Sequence, residues 1–313
     1  MLKIISINAT ASVQDTGRVG FLGLGLGTAG AMDASSLQLG NALLGNELNA
    51  AALEITLGSL VATFTKDTTF CLTGAVFEGD LDGQKLINAQ RTFAKQGQTL
   101  TLKRATLGMH GYLCVVGGFD VPTTLGSASD DVKTGIGAFG RTLTAGDELP
   151  YQQSHALATV GVANWRDLDS LLTTDKKPTH AIALLKSSEF DAFAGDITAQ
   201  EYTLSTSSNR MGYRLDGEPI ALHKPTEMLS HGVAAGMIQV PPDGKPIVLM
   251  ADAQTTGGYP KIASVIQADL GRLAQVRFGE KVRFYWTDIE TAYAKTAAMN
   301  ARLERIQKLA KRL

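Results

Sequence analysis

Residues 68–83, TTFCLTGAVFEGDLDG, contain the pattern that decides the fold: a run of β-branched and apolar residues, interspersed glycines and an Asp82-Gly83 turn signal. Runs of about four to eight such residues bounded by turn signals are typical of strands joined by tight turns. The pattern recurs along a chain that contains 33 glycines. Similar runs lie at residues 99–102, 112–116, 247–250 and 281–286, and further turn signals at Gly146-Asp147 and Asp243-Gly244. The runs are too short for buried helices, so the sequence predicts a mainly β protein with many short strands, in a barrel or sandwich.

Two stretches have helical spacing instead. Residues 33–44 place apolar side chains at helical intervals after Asp33, a residue that suits a helix N-cap. From residue 288 onward apolar residues again recur near helical spacing, and Thr287 and Glu290 have the spacing of a capping box. We therefore expect a short helix after Asp33 and a C-terminal amphipathic helix with a basic end that suits the helix dipole.

Length and a weak internal similarity predict two domains. A chain of 313 residues exceeds the size at which one hydrophobic core usually stops growing. GRVGF at residues 17–21 resembles NRMGY at residues 209–213, although chance explains such a match in a glycine-rich chain almost as well. Residues 173–178, TTDKKP, have the composition of a linker. We predict an N-terminal barrel with a helical insertion over residues 1–165 and a C-terminal barrel with the terminal helix over residues 166–313.

Composition argues against several function classes. The 29 Lys and Arg balance the 30 Asp and Glu, which gives no basic surface for nucleic acid. No apolar run reaches membrane-spanning length and the N-terminus does not resemble a signal peptide, so we expect a cytoplasmic protein without a membrane partner. The five histidines are scattered, which predicts no metal site. Cys71 and Cys114 each lie in an apolar run, where a reduced and buried thiol is expected.

A cluster of glycines at residues 23–27, GLGLG, raises the question of a phosphate-binding loop. Closely spaced glycines let a backbone approach a phosphate. The spacing is not Gly-x-Gly-x-x-Gly, however, and no Gly-Lys-Ser/Thr is present, so a standard nucleotide-binding loop is not indicated. A glycine-rich turn is the favoured interpretation, and a nonstandard anion nest is the alternative.

The stretch ADAQTTGGYPK at residues 251–261 is the strongest candidate for a binding site, because it directly follows the apolar run that ends at residue 250. It combines a carboxylate, a carboxamide, hydroxyls, a phenol and an ammonium group, which suit a small molecule with carbonyl and amide edges. A turn whose polar side chains satisfy their own backbone is an equal alternative. Arg210, in the polar segment 208–212, is either a clamp for carboxylate or phosphate or a surface ion-pair partner.

Several motifs resemble one known family when they are taken together. In the first half they read QDTGRVGF at residues 14–21, GAMD at 30–33, NALLGN at 41–46 and LEITLG at 53–58. In the second half they read NRMGYRL at residues 209–215, GMIQVPPDGKP at 236–246 and QTTGGYP at 254–260. In order and spacing, residues 3–286 resemble the biotin-dependent carboxyltransferase-like family, which includes allophanate hydrolase subunit 2 and the C subunit of 5-oxoprolinase.

The resemblance implies two cyclophilin-like β-barrels with a few short helices, and a role in a complex. In the 5-oxoprolinase system, A, B and C subunits together use ATP to open the lactam 5-oxoproline to glutamate. The alternatives are the carboxyltransferase component of a biotin-dependent urea-type carboxylase, and a non-catalytic regulatory partner of a kinase-inhibitor-like B subunit. The expected partners are a B subunit, an A subunit where the complex has three components, and a small amide or lactam substrate. ATP would be bound by the complex rather than necessarily by this chain, and biotin is involved only under the first alternative.

Site residues are predicted from both halves of the chain. Asp252 is the candidate base or water-positioning group, and Arg210 and Lys261 are the candidate groups for binding a carboxylate or phosphate. The predicted substrate-binding residues are Asp33, Gln239, Gln254, Thr255, Thr256, Gly257, Gly258 and Tyr259, with Asn41 and Glu54 as supporting polar groups. The prediction requires Arg210 and Asp252 to share one cleft. The chain departs from the family at LGSASDD, residues 125–131, where Ala128 stands in place of the usual arginine.

Overall fold

The computed structural model of the protein describes residues 1–154, 156–157, 179–224 and 228–312, and the predicted linker and the predicted boundary after residue 165 lie outside these ranges. The described chain is mainly β, as predicted. Contacts divide the protein into two compact units. The first comprises Met1–Gly17, Asp33–Asp175 and Met299–Leu313, and the second comprises Arg18–Met32 and Lys176–Ala298. The stretch Arg18–Met32 thus belongs to the same unit as the polar turn at residues 251–261.

The first unit is built on an antiparallel sheet of seven strands with the order β4-β3-β6-β2-β1-β7, in which β5 pairs with β3. The strands are β1 (Leu2–Gln14), β2 (Ala52–Phe64), β3 (Thr68–Leu81), β4 (Gln84–Lys85), β5 (Arg91–Ala94), β6 (Thr99–Val115) and β7 (Glu148–Leu149). Helix α1 (Ala34–Leu44) packs on β3 and β6. Apolar side chains from β1, β2, β3 and β6 form the core of this unit.

The long strands of this sheet differ from the short strands that the sequence predicted. β3 has 14 residues and β6 has 17. The register between them shifts beside Gly74 and Gly79, so these glycines lie at bulges inside a continuous strand and do not end it. A Cβ atom at Gly111 would lie 2.4 Å from the ring of Phe77. Glycine is required there by a close approach within the sheet, a role that the sequence alone does not distinguish from a turn.

The second unit contains a closed barrel, as predicted for the C-terminal half, with the strand order β10-β13-β12-β15-β8-β16-β9. Its strands are β8 (Thr179–Lys186), β9 (Glu201–Leu204), β10 (Gly212–Asp216), β12 (Met237–Gln239), β13 (Ile247–Leu249), β15 (Lys261–Val265) and β16 (Lys281–Trp286). Two short strands, β11 (His231–Gly232) and β14 (Thr256–Gly257), pair separately. Helix α2 (Gln267–Ala274) follows β15, and helix α3 (Ile289–Ala310) follows β16. Strands β8 and β16 pair in parallel, and the other barrel pairs are antiparallel.

The two predicted helices are confirmed, but one of the two predicted caps is wrong. Asp33 caps α1, because its side chain accepts a hydrogen bond from the Ser36 N–H at 3.1 Å. The cap of α3 is Asp288, which accepts from the Thr291 N–H at 2.6 Å. Thr287 instead extends the pairing of β16, since its N–H donates to the Leu184 carbonyl at 2.9 Å. No helix in the described part of the chain is long and apolar enough to cross a membrane.

Candidate functional site

The polar turn at residues 251–261 leaves the barrel at the end of β13 and returns as β15. Its first residues are fixed by main-chain hydrogen bonds, since the Met250 N–H donates to the Met211 carbonyl at 3.1 Å and the Ala253 N–H donates to the Met250 carbonyl at 3.0 Å. Ala253 also packs into a small apolar cluster with Val233 and Leu249. The turn is therefore anchored at its start, which keeps the polar residues that follow in a defined place.

Arg210 and Asp252 lie together, and the prediction that they share a substrate cleft stays a prediction. Arg210 Nε donates to Asp252 Oδ2 at 2.7 Å, and Nη2 donates to Oδ1 at 2.9 Å. Nη2 also donates to the Gly30 carbonyl at 2.7 Å. The side chains are only 16% and 8% exposed, so the pair is largely screened from water. Because the guanidinium is engaged by a carboxylate and a carbonyl, the pair ties the segments around residues 30, 210 and 252 together.

Gln239, Gln254 and Tyr259 form a chain of amide contacts next to this turn. Gln254 Nε2 donates to Gln239 Oε1 at 3.4 Å, and Gln239 Nε2 donates to the Tyr259 carbonyl at 3.3 Å. Gln239 is only 2% exposed. A Cβ atom at Gly257 would lie 2.5 Å from Gln239 Nε2, so the absence of a side chain at Gly257 makes room for the buried amide. Gln239 thus orients Gln254, which is less buried and better placed to meet a ligand.

Lys261 lies opposite Gln239 across β15 and β12, at a register shift between these strands. Its Nζ is 2.7 Å from Glu189 Oε1 and also contacts His231 Nε2. Its main-chain N–H donates to Glu189 Oε2 at 2.6 Å. The Lys261 side chain is 11% exposed. A bulge commonly redirects a side chain beside a functional site, and here it accompanies a nearly buried ammonium.

The electrostatics of this cluster favour the ionised form of Glu189. Burial opposes ionisation of Glu189, but the hydrogen bonds from the Lys261 ammonium and N–H, together with the nearby positive charge, outweigh it and lower the pKa of Glu189. Glu189 is therefore a carboxylate at neutral pH and Lys261 its counter-ion. Such a charged pair beside oriented amides is suited to binding an oxygen that carries or gains negative charge.

The remaining predicted residues of the turn are more accessible. Thr255, Thr256, Gly258 and Tyr259 are partly or fully exposed, and Tyr259 is 46% exposed. The Thr255 carbonyl accepts from the Val233 N–H at 2.9 Å, which holds the turn against the segment that carries His231. These residues lie in the same turn as the nearly buried Lys261. They provide hydroxyl, phenol and backbone groups at the surface of the turn.

Three predicted residues belong to the first unit, where each is buried. Asp33 accepts from the Ser35 hydroxyl at 2.8 Å and the Ser36 hydroxyl at 2.6 Å, in addition to its capping bond. Asn41 donates to the Ala50 carbonyl at 2.8 Å. Glu54 accepts from the Tyr112 hydroxyl at 2.8 Å. These contacts hold α1 and its neighbouring strands, and the assignment of the three residues to a substrate site stays a prediction.

The glycine-rich segment at residues 23–27 forms a turn in which three N–H groups point inward. The N–H groups of Leu24 and Leu26 donate to the Phe21 carbonyl, and that of Gly25 donates to the Leu22 carbonyl. A phosphate nest needs such N–H groups to point at the ligand. The structure thus favours the turn interpretation over the anion nest. A Cβ atom at Gly27 would lie 3.1 Å from the Ala253 carbonyl, so this segment packs against the polar turn instead.

The segment that departs from the family, residues 125–131, has a structural role in the first unit. Asp15 accepts from the hydroxyls of Ser127 and Ser129, each at 2.6 Å, and from the Ala128 N–H at 2.7 Å. Asp130 accepts from the N–H groups of Val13, Phe139 and Gly140 at 2.9, 2.7 and 2.7 Å. Burial raises the pKa of Asp130 despite these three bonds. Ala128 is 3% exposed and belongs to the apolar core of the first unit.

Sequence reasoning missed two residues of the Lys261 cluster. Glu189 follows β8 in the polar stretch after residue 186, and the rule that polar groups after a strand mark a site would have identified it. His231 gave no local signal, because its contact with Lys261 spans 30 residues. Within the described ranges, His, Cys, Asp and Glu side chains form no group of three or more that could hold a metal ion, and the expectation of no metal stays a prediction.

Comparison with known proteins defines the family. The model of the carboxyltransferase domain, subdomain A and B, matches residues 24–286, and the chain therefore belongs to this family. Two relatives named as the C subunit of 5-oxoprolinase are 44% identical over 300 residues in Haemophilus influenzae and 45% identical over 296 residues in Escherichia coli, with 93% of each chain covered. The fold matches that of the Kluyveromyces lactis urea amidolyase with a TM-score of 0.90 at 24% identity, over 97% of this chain and 20% of that one.

Proposed function

We propose that this protein is the C subunit of an ATP-dependent 5-oxoprolinase, which opens 5-oxoproline to glutamate together with A and B subunits. The observation that carries the proposal is the 44–45% identity, over 93% of both chains, to relatives that bear this name. The site supports it, because a planar lactam needs groups that hold its amide edge and neutralise charge on its carbonyl oxygen.

The residues of the polar turn are assigned roles by their contacts. Gln254, oriented by Gln239, binds the amide edge of the lactam, and Lys261 binds its carbonyl oxygen. Thr255, Thr256, Gly257, Gly258 and Tyr259 line the rest of the site. We assign Arg210 to holding Asp252 in place and not to clamping the substrate, because its Nε and Nη2 atoms donate to Asp252 and Gly30. Asp252 remains the candidate for positioning a water molecule.

ATP is required because a lactam is an unactivated amide. The carbonyl oxygen attacks the γ-phosphorus and ADP leaves. Water adds to the carbonyl carbon, the ring C–N bond breaks as the nitrogen takes up a proton, and an acyl phosphate results. A second water molecule attacks the carbonyl carbon and releases phosphate, which carries the original carbonyl oxygen. We assign ATP to the complex and not to the turn at residues 23–27, in which the N–H groups of Leu24, Gly25 and Leu26 donate to carbonyls of the same turn.

Reconstitution tests this proposal. The protein is purified with its B partner, the A subunit is added, and glutamate release from 5-oxoproline is measured with and without ATP. We expect ATP-dependent release only with all three subunits, and oxygen-18 from the lactam carbonyl in the released phosphate. An intact complex that releases no glutamate would contradict the proposal and favour a regulatory role. Label that stays in glutamate would contradict only the phosphorylation mechanism.

A carboxyltransferase role is the second candidate, because the family model that matches residues 24–286 describes a carboxyltransferase domain. That role requires a biotin carboxylase and a biotin carrier, and the same preparation tests it with carboxybiotin as the donor. Carboxyl transfer to urea without glutamate release would favour this second candidate over the first.

A further inference from the structure

The Glu189 carboxylate contacts two nitrogen atoms of Lys261, the main-chain nitrogen and Nζ. Its Oε2 accepts from the main-chain N–H of Lys261 at 2.6 Å, and its Oε1 lies 2.7 Å from Lys261 Nζ. The turn that carries Glu189 is fixed to the same strand, because the Ser187 N–H donates to the Ile262 carbonyl at 3.3 Å and the Ser187 hydroxyl donates to the Lys261 carbonyl. A single carboxylate thus restricts both the backbone and the end of the Lys261 side chain.

The contacts of His231 assign a donor and an acceptor role to its two ring nitrogens. Its Nδ1 lies 3.1 Å from the Leu229 carbonyl oxygen, which can only accept, so Nδ1 carries a proton. Its Nε2 faces the Lys261 ammonium, which can only donate, so Nε2 carries a lone pair. This assignment places the proton on Nδ1 and the acceptor on Nε2. The charged groups that face it within the described ranges are Lys261 on β15 and Glu189 after β8.

We propose that Glu189 and His231 are positioning residues that fix the Lys261 ammonium for one substrate oxygen. An ammonium has three donors. Two are directed to Glu189 Oε1 and His231 Nε2, and among the residues that the structure describes no acceptor takes the third, which we assign to the ligand. The inference rests on the proposed function only in naming that oxygen, the carbonyl oxygen of the lactam. Neither residue touches the substrate, and each acts through Lys261.

Protonation of His231 at Nε2 would remove the acceptor that it offers to the Lys261 ammonium. An imidazolium donates from both nitrogens and would face an ammonium that also only donates, so Lys261 would lose one of its two supports. If Lys261 and Glu189 formed only a structural ion pair, the activity would not depend on the protonation of residue 231.

Activity of the reconstituted complex gives the first test. His231→Gln keeps an acceptor oxygen without a titrating ring, so we expect kcat/KM within about fivefold of wild type at pH 8 and a flatter acid limb of the pH profile. His231→Leu and Glu189→Gln should each lower kcat by about 30-fold or more, with a smaller change in KM. The matched controls are His223→Gln and Glu201→Gln. Glu201 pairs with Lys281 on the surface of the same barrel, at 3.1 Å and with both side chains more than a third exposed.

A second readout does not depend on catalysis. The full-length chain is treated briefly with an amine-acylating reagent, and modification of Lys261 relative to Lys281 is followed by mass spectrometry between pH 6 and 9. We expect Lys261 to be protected in wild type and in His231→Gln, and to be modified at least about tenfold faster in His231→Leu and Glu189→Gln. Equal modification in all variants would overturn the positioning role. If the labelling pattern holds but the wild-type complex releases no glutamate, the proposed function fails and the positioning role stands.

Discussion

Arg210 and Asp252 are joined by three hydrogen bonds, two between their side chains at 2.7 and 2.9 Å and one from the Asp252 N–H to the Arg210 carbonyl at 2.9 Å. The contact connects the turn before β10 with the turn after β13. We propose that Arg210 and Asp252 build the site and that the ammonium of Lys261 is the cation that faces a ligand.

Breaking this ion pair should destabilise the protein. Arg210→Met leaves the largely buried Asp252 carboxylate without its cation, and we expect the free energy of unfolding in urea to fall by about 3 kcal/mol. The double variant Arg210→Met with Asp252→Leu should recover part of this loss. Lys245→Met is the matched control, because its pair with Asp216 is half exposed on both sides and contributes about 1 kcal/mol or less. Equal losses for Arg210→Met and Lys245→Met would contradict the structural role.

A methyl group at Gly257 should disturb the oriented amides. Gly257→Ala places a carbon 2.5 Å from Gln239 Nε2 and must displace this buried side chain, so we expect kcat/KM for glutamate release to fall by about 10- to 100-fold. Gly23→Ala is the control, since nothing lies within 4 Å of a Cβ atom at Gly23, which is outside the proposed site. If both variants had the same activity, Gln239 would not position the site.

Asp147 should stabilise the first unit in a pH-dependent way. The hydrogen bonds from Arg141 lower the pKa of Asp147 to about 2, below its unfolded value. The contribution of the Asp147 carboxylate to the free energy of unfolding is therefore present above about pH 4 and is lost as the pH falls through about 2. Since Arg141 is 48% exposed, we expect Asp147→Asn to cost about 1 kcal/mol at pH 7 and almost nothing at pH 2. Glu148→Gln, which removes an exposed contact with Lys3 at 3.8 Å, should change stability little, and a pH-independent effect at Asp147 would refute this account.

The two cysteines should be unreactive in the folded protein. Both are free and buried, as the sequence predicted. Burial raises the pKa of Cys71 to about 12 and that of Cys114 well above its usual value, so almost no thiolate forms up to pH 9. A disulfide reagent should detect no thiols in native protein and both in urea. Rapid reaction of either thiol with native protein would show that this part of the first unit opens readily.

Local signals predicted much of the fold and part of the site. Helix α1 was predictable because Asp33 and the apolar spacing after it act within one turn of the chain. The turn at residues 251–261 was predictable because polar groups directly follow an apolar strand. The long strands were missed because glycines at bulges, such as Gly74, resemble glycines at turns.

The rest of the site depends on contacts between distant residues. Lys261 meets Glu189 across 72 residues and His231 across 30, and neither partner is indicated by the sequence near Lys261. In the same way, the stretch Arg18–Met32 gives no sequence signal that it packs with the second unit. These contacts between distant residues follow from the way the barrel closes. Local periodicity and turn chemistry do not encode barrel closure.

Glutamate release by the reconstituted complex carrying Lys261→Gln is the most direct test of the central claim, that the Lys261 ammonium binds the reacting oxygen. The control is Lys281→Gln, whose side chain is 57% exposed on the same barrel. We predict that Lys261→Gln lowers kcat by at least about 100-fold while the complex still assembles, and that Lys281→Gln keeps wild-type activity. A Lys261→Gln complex that works at the wild-type rate would contradict the account.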